Sequence, residues 1–154
     1  MTSEMGWGRT SLQFPTRCIY QYRMFKQSLA DIRAVYEGGA SRTGSLGSIQ
    51  KEDVLLWSKE SGRSLASTFD KVGVDLARSY ASGTLDWNFC DSAANQLHHV
   101  MISFFVDDSI DVDAKQFWKF YLAFDNSECF EAVKSDEVAL AGIRQLLKEI
   151  PSGV

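Results

Sequence analysis

Apolar residues recur along this chain at steps of three and four, the period of an amphipathic helix. The longest such stretch runs from Thr84 to Phe105. Turned at ~100° per residue, it gathers Trp87, Phe89, Cys90, Ala93, Ala94, Leu97, Val100, Met101, Phe104 and Phe105 on one side. The inner line Cys90, Ala94, Leu97, Met101, Phe104 alternates steps of four and three, the seam spacing of packed helices. Its apolar arc spans roughly 160°, wider than the ~100° stripe of an ordinary surface helix. At least two further helices are therefore expected to pack on it. Gly83 suits the C′ position of the preceding helix and Thr84 the N-cap of this one, with Asp86 complementing the dipole in the first turn.

The rest of the chain reads the same way. Residues 1–14 are Gly- and Ser-rich and are expected to be irregular. From Pro15 to Glu37, Cys18, Tyr22, Phe25, Leu29, Ile32 and Tyr36 form a stripe that Gly38-Gly39 stops. Residues 38–49 carry Arg42 as their only charge among glycines and serines, and are read as a mobile loop. Ile49 to Glu60 predicts a short helix with Val54, Leu55 and Trp57. Ser64 to Ser82 predicts another, with Leu65, Phe69, Val72, Leu76 and Tyr80 on one face, where Ala66, Gly73 and Ala77 admit a close neighbour. After the central helix comes an acidic connector, Asp107 to Asp113, in which Asp111 or Asp113 can cap the next helix. That helix, Ala114 to Phe124, is apolar almost all round and is expected to be largely buried. Ser135 is read as the cap of a last helix, Asp136 to Ile150, with Leu140, Ile143, Leu146, Leu147 and Ile150 on one face and Pro151 beyond. No alternating stretch exceeds about four residues, against the 4–8 of a strand. The pattern therefore predicts an all-α, single-domain bundle of about five to six helices around helix 85–105.

Composition narrows the class without changing it. A chain of 154 residues can bury a core without disulfides or a structural metal. Cys18, Cys90 and Cys129 are odd in number and share no motif spacing, which makes a reducing cytoplasm the simplest compartment. Residues 1–10 lack the apolar run of a signal peptide, and no apolar stretch approaches the ~18 residues of a membrane span.

Few residue constellations carry chemistry. Asp107, Ser109, Asp111 and Asp113 have the spacing of a calcium loop's opening ligands, but Val112 stands where Gly is needed and Trp118 where a bidentate Glu is needed. His98 and His99, the only histidines, point about 100° apart on a helix and do not form an i, i+4 chelate. Asp86, Asp91 and Asn95 are neighbours on the central helix, and Asp125, Glu128 and Glu131 crowd another helix end. Paired carboxylates can serve acid–base work, but no nucleophile, base or oxyanion donor set accompanies them. Phosphate-loop, dinucleotide, nucleophile-elbow and zinc-protease motifs are missing. The expectation is no catalysis, no metal and no cofactor.

Charge is distributed unevenly. Residues 1–85 hold eleven Lys/Arg against eight Asp/Glu, whereas residues 86–137 hold three against eleven. An acidic half repels nucleic acid and attracts basic surfaces.

Two segments, Asp86-Trp87-Asn88-Phe89-Cys90-Asp91 and Phe117-Trp118-Lys119-Phe120-Tyr121-Leu122-Ala123-Phe124-Asp125, resemble patterns in small acidic helical bacterial proteins. In character the chain is similar to immunity proteins of contact-dependent inhibition and other polymorphic toxin systems. The resemblance implies a stoichiometric binder of a cognate toxin, usually a basic nuclease. Apart from that resemblance, the charge pattern selects Asp107, Asp108, Asp111, Asp113, Asp125, Glu128 and Glu131 as the partner-binding surface. Neither nucleic acid nor membrane is an expected partner. The alternative is a small helical enzyme or ligand-binding protein with a pocket near Trp87, His98, Trp118 and Tyr121. A homo-oligomeric scaffold is a third class, and the sequence leaves the oligomeric state open.

Overall fold

A computed structural model describes the backbone of residues 16–151 and the side chains of residues 25–151. Residues 1–14, read as irregular, and the side chains of Cys18 and Tyr22 lie outside the described set. Six helices follow one another: α1 (Thr16–Tyr36), α2 (Lys51–Ser61), α3 (Leu65–Ala81), α4 (Trp87–Asp108), α5 (Lys115–Asp125) and α6 (Ala132–Glu149). Among the described residues the only β-pairing is an isolated bridge between Ala40 and Leu46. The fold is an all-α bundle, as the apolar spacing predicts.

Packing follows the apolar faces. Cys90, Ala94, Leu97 and Phe104 of α4 are buried against the other helices, and Met101 is half-buried. Phe69 and Leu76 of α3, Phe117, Phe120 and Phe124 of α5, and Ile143 and Leu146 of α6 complete the core. α5 packs most closely on α3 and α6. Gly73 is what lets it approach α3, since a Cβ there would lie 3.1 Å from Phe117 Cα. On the opposite side a Cβ at Gly142 of α6 would lie 2.9 Å from Ala123 Cβ.

Helix ends depart from the expected caps, each for a visible reason. Asp86, rather than Thr84, caps α4 and accepts the N–H of Phe89 at 2.8 Å. Thr84 is spoken for: its N–H and that of Leu85 both return to Ser79 O and close α3. Neither Asp111 nor Asp113 caps α5. Asp70 of α3 reaches across and accepts the N–H groups of Gln116 and Phe117 at 2.8 and 2.9 Å. That tertiary cap satisfies two of the orphan donors a helix start leaves open. α6 begins at Ala132, four residues before the expected start, with Glu131 at its N-cap. Ser135 lies inside the helix, buried, and donates its hydroxyl to Phe130 O instead of accepting a helix N–H.

Loop 38–49 is held at many points. Its Arg42 grips Asp31 of α1 through backbone N (2.9 Å) and Nε (3.1 Å), and grips Glu60 of α2 through both terminal nitrogens (2.8 and 3.1 Å). Asp31 is 2% exposed and also accepts Trp57 Nε1 at 2.8 Å. One carboxylate thus ties α1, the loop and α2 together. Asp53, fully buried, receives the Thr43 hydroxyl at 2.6 Å and Gln50 N at 2.9 Å. Burial pushes its pKa up, but the hydrogen bonds from Ser41, Thr43, Gln50 and Ser45 outweigh it and hold the pKa below the ordinary value. Ile49 N donates to Gln96 Oε1 at 2.9 Å and anchors the loop's end on α4.

Candidate functional site

The outward flank of α4 carries Asp91, Asn95, His98, Ile102 and Phe105, again at steps of four and three, so these five share one line. The facing flank of α5 carries Trp118, Tyr121 and Asp125. The two lines meet in an aromatic stack. His98 lies on Tyr121 with ring centroids 4.0 Å apart and planes at 17°. Trp118 approaches both, at 5.5 Å from His98 and 5.4 Å from Tyr121. Burial and the neighbouring His99 lower the His98 pKa, and Asp125 opposes them, so the imidazole is mostly neutral at pH 7.

One end of this seam gathers carboxylates from three places. Asn95 Nδ2 donates to Glu128 Oε1 at 3.1 Å and sits 3.5 Å from Asp91 Oδ1. The Tyr121 hydroxyl donates to Asp125 Oδ1 at 2.9 Å. No Lys or Arg among the described residues forms an ion pair with Asp91, Asp125 or Glu128. Burial first, then the charge and hydrogen bond of Glu128 and the charge of Asp125, push the Asp91 carboxyl up to about 6. Sequence reading placed Asp91 and Asn95 in one group and Asp125, Glu128 and Glu131 in another. Folding joins them, leaves Glu131 at the start of α6, and assigns Asp86 to capping.

At the opposite end lie the other four carboxylates selected from the sequence. Asp107 and Asp108 share Lys51 of α2, at 2.9 and 3.0 Å. Asp113 sits 3.7 Å from Lys115, and Asp111 makes no ion pair among the described residues. The connector does not simply hang in solvent, because Val112 and Ala114 turn inward and are buried. Between the connector and α5 runs an open groove of about 450 Å³ with Met101, Val112, Ala114 and Trp118 along it and Asp111 and Asp113 beside it. Six of the seven selected acids therefore fall into two groups, Asp125 and Glu128 beside Asp91 and Asp107 to Asp113 beyond the other end of α4, with Glu131 apart from both. Asp91 and Asp107 are about 16 residues or ~24 Å apart along the axis of α4.

Two expectations need correction here. Trp118, expected to be buried, is 43% exposed, and Phe105, assigned to the apolar arc, is 62% exposed. Both lie on flanks that no described element covers. Of the four residues named for a pocket, His98, Trp118 and Tyr121 come together and Trp87 lies apart. Trp87 lies three turns before His98, packs on Phe124 and donates its Nε1 to Ser127 Oγ at 2.9 Å. Cys90 is a buried free thiol that burial, then Asp86 and Asp91, push up to about 12, far from a reactive thiolate. No group of three or more His, Cys, Asp or Glu side chains able to hold a metal occurs among the described residues, nor any helix long and apolar enough to cross a membrane.

The carboxylate cluster makes a testable statement about stability. A carboxyl whose folded pKa is raised contributes stability that is fully present below its unfolded value near 3.8 and is lost as pH rises through about 6. Asp91→Asn removes that loss at neutral pH. Since the group is half exposed, solvent screening trims the expected gain to about 1 kcal/mol, a rise of roughly 2–4 °C in melting temperature. Melting curves at pH 7.5 and pH 4 check this: the gain is expected at the first and absent at the second. A gain of equal size at both would remove the electrostatic account.

No family model, curated protein or solved structure matches the chain.

Proposed function

We propose that this protein is a binding protein of the immunity type, which neutralises a cognate bacterial toxin in the cytoplasm by occluding it. The partner is a basic protein, a nuclease in the reading that the resemblance supports. One observation carries the proposal: Asp91, Asp125 and Glu128 are held together with no ion-paired lysine or arginine among the described residues. Such a group costs stability in the free protein, and a cationic surface relieves that cost. A second acidic group, Asp107 to Asp113, adds to the same field. Charge of one sign steers encounter and raises the association rate. The mode of inhibition is occlusion, with no catalysis and no cofactor.

The test is a titration with the terminal domain of a large secreted protein encoded by a neighbouring upstream frame. A 1:1 complex that abolishes that domain's activity is expected. Reversing Asp91, Asp125 and Glu128 to Lys is expected to slow association about tenfold at low salt and to flatten its salt dependence. Lack of any complex, or an association rate indifferent to both acidic clusters, rejects the reading.

A second reading draws on the groove beside Trp118, whose ~450 Å³ falls within the range of small-molecule pockets. It is open to solvent, and Asp111, Asp113, Lys115, Gln116 and Lys119 line it beside the apolar residues, which favours a protein segment over an enclosed small ligand.

A further inference from the structure

The seam between α4 and α5 has the anatomy of a recognition groove. Along α4, Ile102 is 44% and Phe105 62% exposed, and Trp118 of α5 is 43% exposed. Scattered exposed apolar residues are ordinary, but a contiguous line of them marks an interaction surface. Met101 and Trp118 share the groove, and Phe105 follows Met101 by one helical turn. Tryptophan, tyrosine and methionine are the residues enriched at interface centres, and tryptophan is among the commonest hot spots. The stack of His98 on Tyr121 holds the seam's centre in one arrangement before any partner arrives. At each end the apolar line runs into carboxylates: Asp91, Asp125 and Glu128 at one, and Asp111 and Asp113, which line the groove with Trp118, at the other. Among the described residues the cations near this end are Lys115, 3.7 Å from Asp113, and Lys119, which is turned to Glu149.

We propose that this seam is the docking groove for one amphipathic helix of a basic protein, which lies along α4 with apolar residues against Trp118, Ile102 and Phe105 and Lys or Arg residues at both of its ends. The inference rests on the acidic-surface reading and adds to it the apolar centre and the shape of the partner element. Spacing sets the length. The line from Asp91 to Phe105 runs about 14 residues or ~21 Å along α4, which sets a partner helix of at least about 14 residues. Helix-in-groove recognition reads such a partner through apolar anchors at i, i+3, i+4 and i+7. Charge argues against the other occupants. A second copy of this chain laid on the seam in either direction sets carboxylates against carboxylates, and an anionic lipid surface or a nucleic acid is repelled.

Three synthetic 20-residue helical peptides test this against the full chain by fluorescence anisotropy at 50 and 150 mM salt. The first has a Leu stripe and Arg pairs at both ends. The second keeps the Arg pairs and replaces the Leu stripe with Gln. The third keeps the Leu stripe and carries Glu at the ends. The first is expected to bind and to weaken at the higher salt. The second is expected to bind at least tenfold more weakly, and the third not at all. Phe105→Ser with Trp118→Ser, both at exposed positions and checked for an unchanged helical spectrum, is expected to cut affinity for the first peptide at least tenfold. It is expected to leave the weak binding of the second unaltered. Equal binding of the two Arg-ended peptides, or an unchanged affinity of the double variant, overturns the groove while the acidic-surface reading stands. Failure of both Arg-ended peptides overturns the groove as well, and the titration with the toxin domain then decides the acidic-surface reading separately. Sedimentation of the wild-type chain as a dimer that the double variant breaks makes a second copy the occupant and also overturns the proposal.

Discussion

Asp31→Ala is expected to lower the melting temperature by roughly 10 °C. Three groups lose their acceptor at once: Arg42 N, Arg42 Nε and Trp57 Nε1. The indole nitrogen is the worst placed, because Trp57 is fully buried and water does not replace the lost partner. Removing one member of a buried charge pair costs about 3–5 kcal/mol, and each kcal/mol shifts the melting point of a chain this size by roughly 2–4 °C. Arg42 keeps Glu60 on its outer side, so part of the charge stays compensated and the lower half of that range is expected. Asp31→Asn, which preserves one acceptor oxygen, is expected to lose less. Thermal unfolding followed by circular dichroism reads both variants. A shift under 2 °C for Asp31→Ala would mean that the loop and α2 are held mainly by other contacts.

Gly142→Val and Gly73→Val are each expected to cost about 3 kcal/mol, the upper part of the range for overpacking a close helix contact. At Gly142 a Cβ alone lies 2.9 Å from Ala123 Cβ and 3.3 Å from Ala123 Cα, so the methyl groups of valine force α6 off α5. At Gly73 the obstacle is the backbone of Phe117, at 3.1 Å, with its ring carbon Cδ2 at 3.2 Å. Alanine at position 73 separates the effects. It gains about 1 kcal/mol of helix propensity over glycine but needs Phe117 to yield by a few tenths of an ångström, and the two effects oppose, so a small net change is expected. Urea unfolding of the four proteins measures this. If Gly73→Val is as stable as Gly73→Ala, then α3 and α5 are not in close contact there.

The glycines show how much of the fold was legible beforehand. Gly73 lies on a readable apolar face between Ala66 and Ala77, and small residues on such a face announce a close neighbour. Gly142 lies at the margin of the α6 face, and only the position of Ala123 reveals its role. The caps divide the same way. Gly83 ends α3 at φ 77°, as its place after an apolar stripe implies. Asp70 caps α5 from another helix, 46 residues away in sequence, and no local signal marks it. Arg42 offered a hint that sequence reading did not use. A single charge in a loop of glycines and serines is a candidate for a fixed ion pair, but its partner Asp31 sits in the middle of a helix stripe and looks like a solvated residue.

For the candidate site the division is sharper. That residues 86–137 are acidic, and which carboxylates they contain, is written in the chain. That Asp91 and Glu128 meet through Asn95 depends on the turn after α5 folding back beside α4. The exposure of Trp118 depends on α5 having packed its Phe117–Phe120–Phe124 face inward, which leaves the tryptophan no core to enter.

Sequence alone determined the succession of helices and, outside α5 and Phe105, their inward faces, because a 3.6-residue period and local turn signals act over one or two turns of chain. Tertiary structure decided which carboxylates share a field, which aromatic residue stays at the surface and which side chain caps a distant helix. Each of those depends on distances between elements, and hydrophobic patterning, being non-directional, does not specify them.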